Sequence, residues 1–230
     1  MSTMPPARSF DPIWEEKYRS GHRQRYPWDS VVSFVFRNAP RDRARADVRV
    51  LEVGCGTGSN LWFAAREGFQ VAGVDASASA IEAARATLAG EGLQGDLRVA
   101  DFVSLPFPGD SADLAIDRGA LTCCGREAAR RAVGEVRRVL RAGGRFLFNP
   151  YADDHTSARS GVAGPDGVVL DIRAGTLVGA GQICFYGWKD VEQALGPGWS
   201  IRSADHVQWE DRLAEAPSRH AEWRVVAEKQ

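Results

Sequence analysis

Ten consecutive residues, Val50-Leu51-Glu52-Val53-Gly54-Cys55-Gly56-Thr57-Gly58-Ser59, carry the strongest chemical signal in the chain. An apolar run ends in three alternate glycines, the pattern of a buried strand entering a tight turn and then a helix. Glycines let the backbone turn sharply and let a ligand approach it, while the free N–H groups at the helix start favour an anionic group. Glu52 adds a carboxylate two residues before the first glycine. There it would repel a pyrophosphate and attract a ligand bearing ammonium and sulfonium charges. Ser59 stands where the dinucleotide fingerprint G-x-G-x-x-G/A wants Gly or Ala, which disfavours nicotinamide chemistry. Asp75 ends the next apolar run, where an acid can accept both hydroxyl hydrogens of a ribose. Asp101 and Asp117 follow at two further strand ends. Strand-end acids also cap helices or face water, so it is the joint pattern with the glycine turn that carries weight.

These residues need elements to position them. From Val48 short apolar runs alternate with longer helical patterns, as in successive βαβ units of a parallel sheet. The patterning predicts strands at 49–53, 70–75, 97–100, 113–117 and 145–149, and helices at 60–67, 78–88 and 126–141. Gly143-Gly144 should end the last of these helices. Two short helices, 13–18 and 31–36, precede the core, the first opened by Asp11-Pro12. After Pro150, a stretch rich in Asp, Ser and Gly is too long for an ordinary loop and reads as a covering insertion. It contains β-like segments at 168–172 and 176–178. A helix at 189–195 and strands at 200–208 and 221–227 complete the pattern.

At this point the sequence resembles the class I S-adenosylmethionine-dependent methyltransferases. Leu51 to Gly58 is similar to their first motif, Val74-Asp75-Ala76-Ser77 to the second, Ala100-Asp101-Phe102 to the third and Leu114 to Arg118 to the fourth; Arg138 to Phe146 is similar to the passage into the fifth strand. The resemblance covers residues 48–150. It implies an α/β fold with a doubly wound, seven-stranded, mostly parallel sheet of order 3-2-1-4-5-7-6, its last strand antiparallel, with an N-terminal helical cap and a small insertion after strand 5. One domain would span 1–230: a cap at 1–46, a cofactor-binding core at 47–150, a lid-like insertion at 151–182 and the rest of the sheet at 183–230.

The resemblance also implies S-adenosyl-L-methionine as cofactor, with S-adenosyl-L-homocysteine as product. Gly54, Cys55, Gly56 and Gly58 would meet its methionine part, Asp75 its ribose hydroxyls, and Asp101 and Phe102 its adenine, with Glu52 and Ala76 also cofactor-binding. Asp117 would lie near the methionine end, and Tyr18 and Trp28 would close over the pocket. Tyr26, Arg25 and Tyr151 are the candidates for the acceptor. His155, just after the fifth strand, is the candidate general base for a hydroxyl acceptor. His22, in a basic run, could grip a carboxylate or phosphate.

The chain has 230 residues, 44% of them hydrophobic, and a formal net charge of -1, enough to bury a sizeable core. Near-neutrality argues against a dedicated nucleic-acid binder, although residues 1–49 hold ten bases against six acids. No apolar run approaches a membrane span, and residues 1–6 lack the regions of a signal peptide, so a cytoplasmic protein without membrane partners is expected. Four cysteines, Cys55, Cys123, Cys124 and Cys184, show no metal-site spacing. They read as small, reduced, buried residues. Taken together, the expected function is methyl transfer to oxygen or nitrogen, less readily carbon, of a small molecule. RNA, DNA or protein acceptors and a non-catalytic cofactor-binding module stand as alternatives. Oligomeric state is not legible.

Overall fold

The computed structural model describes residues 7–213 and 218–230, so the leader reading of residues 1–6 lies outside the described residues. Strands β1 (Arg49–Val53), β2 (Gln70–Asp75), β3 (Asp96–Val99), β4 (Ala112–Asp117) and β5 (Leu140–Phe148) come first. The insertion adds β6 (Val162–Ala163), β7 (Val168–Leu170) and β8 (Ile183–Cys184), and β9 (Trp199–Asp211) and β10 (Ser218–Lys229) close the chain. Seven of these form one sheet in the order β3-β2-β1-β4-β5-β10-β9. With the insertion strands set aside, this is the expected 3-2-1-4-5-7-6. The first five run parallel, and β10 is antiparallel to both its neighbours.

Helices α1 (Ile13–Arg19) and α2 (Asp29–Asn38) precede the sheet; α3 (Ser59–Arg66), α4 (Ala78–Ala89), α5 (Arg126–Val139) and α6 (Trp188–Leu195) cover its faces. Strand alternation decides which side each residue feeds. Val50, Leu114 and Ile116 pack with Val31, Leu61 and Ile81 of α2, α3 and α4. Their neighbours Leu51, Val53 and Ala115 pack with Val133 and Val136 of α5 and Val191 of α6. Both faces are thus buried, which is why the central strands read as continuous apolar runs. Among the described residues, no helix is long and apolar enough to cross a membrane.

Three boundaries differ from the sequence reading. Helix α5 stops at Val139, because Leu140 is already extended and pairs with Ala112. Residues 141–144, including Gly143-Gly144, then bulge before Arg145 resumes opposite Leu114, so the glycines shape a bulge within β5 rather than a helix end. Residues 176–178 form no strand; the insertion's third strand is instead Ile183–Cys184, just past the expected boundary at 182. Ile183 continues the buried apolar cluster of the insertion and Cys184 joins the main core, whereas Val178 is exposed.

Gly58 precedes α3 with φ +79°, and a Cβ there would sit 2.8 Å from the Cβ of Ala84 on α4. It therefore sets the approach of α3 to α4. Gly58→Ala should destabilise the fold by about 1–2 kcal/mol for left-handed strain alone, measured by urea titration; wild-type stability would contradict this packing role.

Candidate active site

The carboxyl ends of β1, β2 and β4 open into a cavity of ≈ 220 Å³. Glu52, Gly54, Cys55 and Gly56 form its floor with Asp75, Ala76 and Phe102; Phe10, Trp14, Tyr18 and Trp28 cover it from the N-terminal cap, and Leu177, Ala180 and Ile183 from the insertion. Tyr151 and Arg118 close the end beyond β4.

The floor is tied together by Asp75. Its Oδ2 accepts from Gly56 N–H and its Oδ1 from Ser77 N–H, both at 2.9 Å. Burial holds this carboxyl above its usual range despite those bonds. A Cβ on Gly56 would stand 2.8 Å from the Tyr18 hydroxyl, so the glycine keeps the turn open beneath the cap. Glu52 is 2% exposed. Its Oε1 accepts from Asn60 Nδ2 at 2.7 Å, while Oε2 has no partner. Burial pushes its carboxyl up to about 8, with Asp117 and Asp75 adding repulsion and the Asn60 bond and Arg118 opposing it.

The cap is fastened to this floor at several points. The Glu15 carboxylate accepts from Ser77 Oγ at 2.5 Å and Ser79 Oγ at 2.6 Å, at the start of α4. Gln24 N–H donates to Thr57 Oγ1 at 3.3 Å and Trp28 N–H to Asn60 Oδ1 at 3.0 Å. The Asp11 carboxylate accepts from Gln182 N–H at 3.0 Å, which joins cap to insertion.

Of the residues singled out from sequence, Glu52, Gly54, Cys55, Gly56, Asp75, Ala76, Phe102, Tyr18, Trp28 and Tyr151 line the cavity, as does His22. Six others do not. Gly58 packs helices, as described. Asp101 turns away: its Oδ1 closes a tight turn with Val103 N–H, and its Oδ2 accepts from Ser9 Oγ, which itself lines the cavity. Asp117 is fully buried and spends its oxygens on the N–H groups of Ala120, Leu121 and Asn149, so it shapes the turn beyond β4 instead of facing a ligand. Arg25 and Tyr26 are exposed, because the chain is pinned at Gln24 and Trp28 and the segment between bows outward.

His155 is the largest departure. Its ring is 1% exposed and lies behind Tyr151, outside the cavity wall. Nδ1 accepts from Ser157 N–H at 3.0 Å, which assigns the ring proton to Nε2, and that atom faces Thr176 Oγ1 and His220 Nδ1. Burial, then His220, push it down to about 4. Its surroundings make it a neutral packing residue of the insertion.

Arg118, Asn60 and Trp14 line the cavity without having been singled out. Arg118 directly follows the fourth strand-end acid, a signal available in the sequence. Asn60 faces Glu52 only through the strand-turn-helix geometry, and no spacing rule flags it. Among the cysteines, Cys124 and Cys184 are buried core residues, whereas Cys55 and Cys123 also line the cavity.

The residues present fit S-adenosylmethionine. An unpartnered buried carboxylate oxygen suits a cation, a glycine turn leaves backbone open to a ligand, and aromatic walls suit a purine.

Comparison with known proteins agrees with this geometry. Residues 50–144 match the family model described as a methyltransferase domain. An uncharacterized protein of Haemophilus influenzae is 30% identical over 156 residues, 65% of this chain and 58% of that protein. Ribosomal RNA small subunit methyltransferase C of Alcanivorax borkumensis is 37% identical over 102 residues, 42% of this chain and 30% of that enzyme. The chain thus spans less than two thirds of either relative. The solved structure of a SAM-dependent methyltransferase of Methanosarcina mazei has the same fold, with TM-score 0.67 and 21% identity over 82% of this chain and 95% of that one.

A cationic ligand beside Glu52 should displace its proton. Glu52 is held protonated below about 8 by burial, so ligand binding near neutral pH releases a proton and tightens as pH rises toward that value. Calorimetric titration with S-adenosylhomocysteine at pH 7 in phosphate and in Tris should show this release in the wild type and none in Glu52→Gln. Equal release in both proteins would exclude Glu52 as its source.

Proposed function

We propose that this protein, whose residues 50–144 match the family model described as a methyltransferase domain, transfers a methyl group from S-adenosylmethionine to oxygen or nitrogen of a small-molecule acceptor. The single observation that carries the small-acceptor reading is the enclosure of the cavity. Gln182 donates from Nε2 to the carbonyls of Arg8 at 2.6 Å and Cys123 at 3.0 Å, so cap, insertion and sheet edge are laced together above the floor. A folded RNA or a protein surface would have to undo this lacing, whereas a compact molecule needs only a local opening.

In this reading Glu52 pairs with the ammonium of the cofactor, Asp75 receives its ribose hydroxyls, and Ala76 and Phe102 border its adenine. When bound, the cofactor supplies a methyl group already activated on a sulfonium. What the chain adds is alignment and exclusion of water, and alignment alone is worth up to about 7–11 kcal/mol in well-oriented reactions. Trp14, Tyr18 and Trp28 serve the exclusion, since their rings cover the turn. A strong base is not required for an acceptor that is nucleophilic at neutral pH. Four free, mostly buried thiols accord with a reducing, cytoplasmic setting.

The alternative acceptor is RNA or protein. It draws on the ribosomal RNA methyltransferase relative and on the modest excess of bases in residues 1–49.

Two measurements separate these readings. With methyl-labelled S-adenosylmethionine and a fractionated cell extract, label should enter the small-molecule fraction; label confined to RNA or protein would support the alternative. Backbone amides of residues 10–28 and 172–183 should exchange more slowly with deuterium once S-adenosylhomocysteine is bound. Unchanged protection in both segments would contradict their role as a cover.

A further inference from the structure

Among the described residues the cavity lining holds one guanidinium, that of Arg118, whose charge reaches the Glu52 carboxyl. Its side chain is only 6% exposed, and it lies 4.0 Å over the Trp28 ring. Its one anionic partner among the described residues is Glu222, whose Oε2 is 3.2 Å from Nη2. Glu222 is shared. Its Oε1 accepts from Arg224 Nε at 2.8 Å, and His220 Nε2 stands 3.5 Å from Oε2. Arg224 also reaches Asp29 at 3.3 Å, but that carboxylate is 78% exposed and screened by water. A buried guanidinium, that of Arg118, and a half-buried one, that of Arg224, therefore divide one buried carboxylate.

The remaining acids near Arg118 do not pair with it. Asp117 is spent on backbone N–H groups, and Glu52 gives one oxygen to Asn60, leaves the other unpartnered and is held protonated by burial. Arg118 Nε is buried and has no acceptor. An unpaired guanidinium N–H in a cavity wall is costly to leave unmet. The group that meets it best is a carboxylate, one oxygen of which can accept a charge-assisted hydrogen bond from Nε while the other stays free.

Among the described residues, no base is placed beside Arg118 to take a proton from an acceptor. His155 lies behind Tyr151, and the Tyr151 phenol is pushed up to about 12 by burial and stays neutral. His22 packs against Trp14 and Tyr18, on the side of the glycine turn. An acceptor suited to this wall arrives already deprotonated.

We propose that the acceptor is a small apolar carboxylic acid, bound as its carboxylate with one oxygen held by Arg118 and its hydrocarbon part among Trp28, Tyr151 and Leu177. This rests on the methyltransferase reading above. A lone pair of the other oxygen forms the new O–CH3 bond while the methyl–sulfur bond breaks and its electron pair stays on sulfur. Carboxylate and sulfonium become a methyl ester and a neutral thioether, and no proton is released.

The test is calorimetric titration of the protein saturated with S-adenosylhomocysteine, using aliphatic and aryl carboxylates, phenylacetate among them, each beside its primary amide. At least one carboxylate should bind tenfold or more tighter than its amide. Arg118→Met should remove that preference, Arg118→Lys should retain part of it, and S-adenosylhomocysteine affinity should be unchanged in both. Mass spectrometry of the tightest binder after incubation with S-adenosylmethionine should show its methyl ester.

No preference for any carboxylate, an unchanged preference in Arg118→Met, or recovery of the bound acid unmethylated would overturn the inference and leave the methyltransferase reading standing. Loss of S-adenosylhomocysteine affinity in a folded Arg118→Met would overturn it too, by moving Arg118 to the cofactor. Absence of S-adenosylhomocysteine binding to the wild type would instead remove the methyltransferase reading and this inference with it. Should Arg118→Met fail to fold, the wild-type comparison of acid with amide still decides.

Discussion

Two backbone N–H groups, those of Gly56 and Ser77, converge at 2.9 Å on the buried carboxylate of Asp75. One belongs to the turn after β1 and the other to the N-cap of α4, so a single side chain fixes the two loops that form the cavity floor. The cap hangs from the same point, because Ser77 also donates to Glu15 of α1. Floor and cover therefore share an anchor. The carboxyl is raised by burial, which means that these hydrogen bonds only partly offset its desolvation. Each oxygen keeps room for a further donor.

Glu52 shows the same economy. Burying an ionised carboxylate is costly unless it is paired, and here one oxygen has Asn60 and the other nothing, so burial keeps the group protonated until a cation arrives. Arg118, in the same lining, presents the opposite charge with its own unpaired donor. A ligand pair with a cation at one end and an anion at the other would satisfy both. That polarity gives the site a direction, which a simple apolar cleft would lack.

Much of this was legible in the sequence because it is local. The strand-glycine-helix passage, Asp75 and the alternation of apolar runs follow from short-range rules, and the sheet order follows from the resemblance those residues carry. What was not legible is contact between distant segments. Nothing in the spacing says that Asp117 and Asp101 turn their oxygens onto backbone and onto Ser9, or that the chain bows out at Arg25 and Tyr26. His155 stands in the right place along the chain, but the insertion folds over it and removes it from the cavity. Arg118 closes the fourth motif with no role legible in it, because the two guanidinium groups on Glu222 meet only after β10 has been laid beside β5.

The central claim is that the Asp75-anchored turn is the cofactor site. The direct measurement is the affinity of S-adenosylhomocysteine for wild type and Asp75→Ala by titration calorimetry, with circular dichroism to confirm that the variant is folded. Loss of hydrogen bonds to a charged group predicts binding weaker by about 1.5–3 kcal/mol, roughly tenfold or more. Wild-type affinity in a folded Asp75→Ala protein would contradict the account.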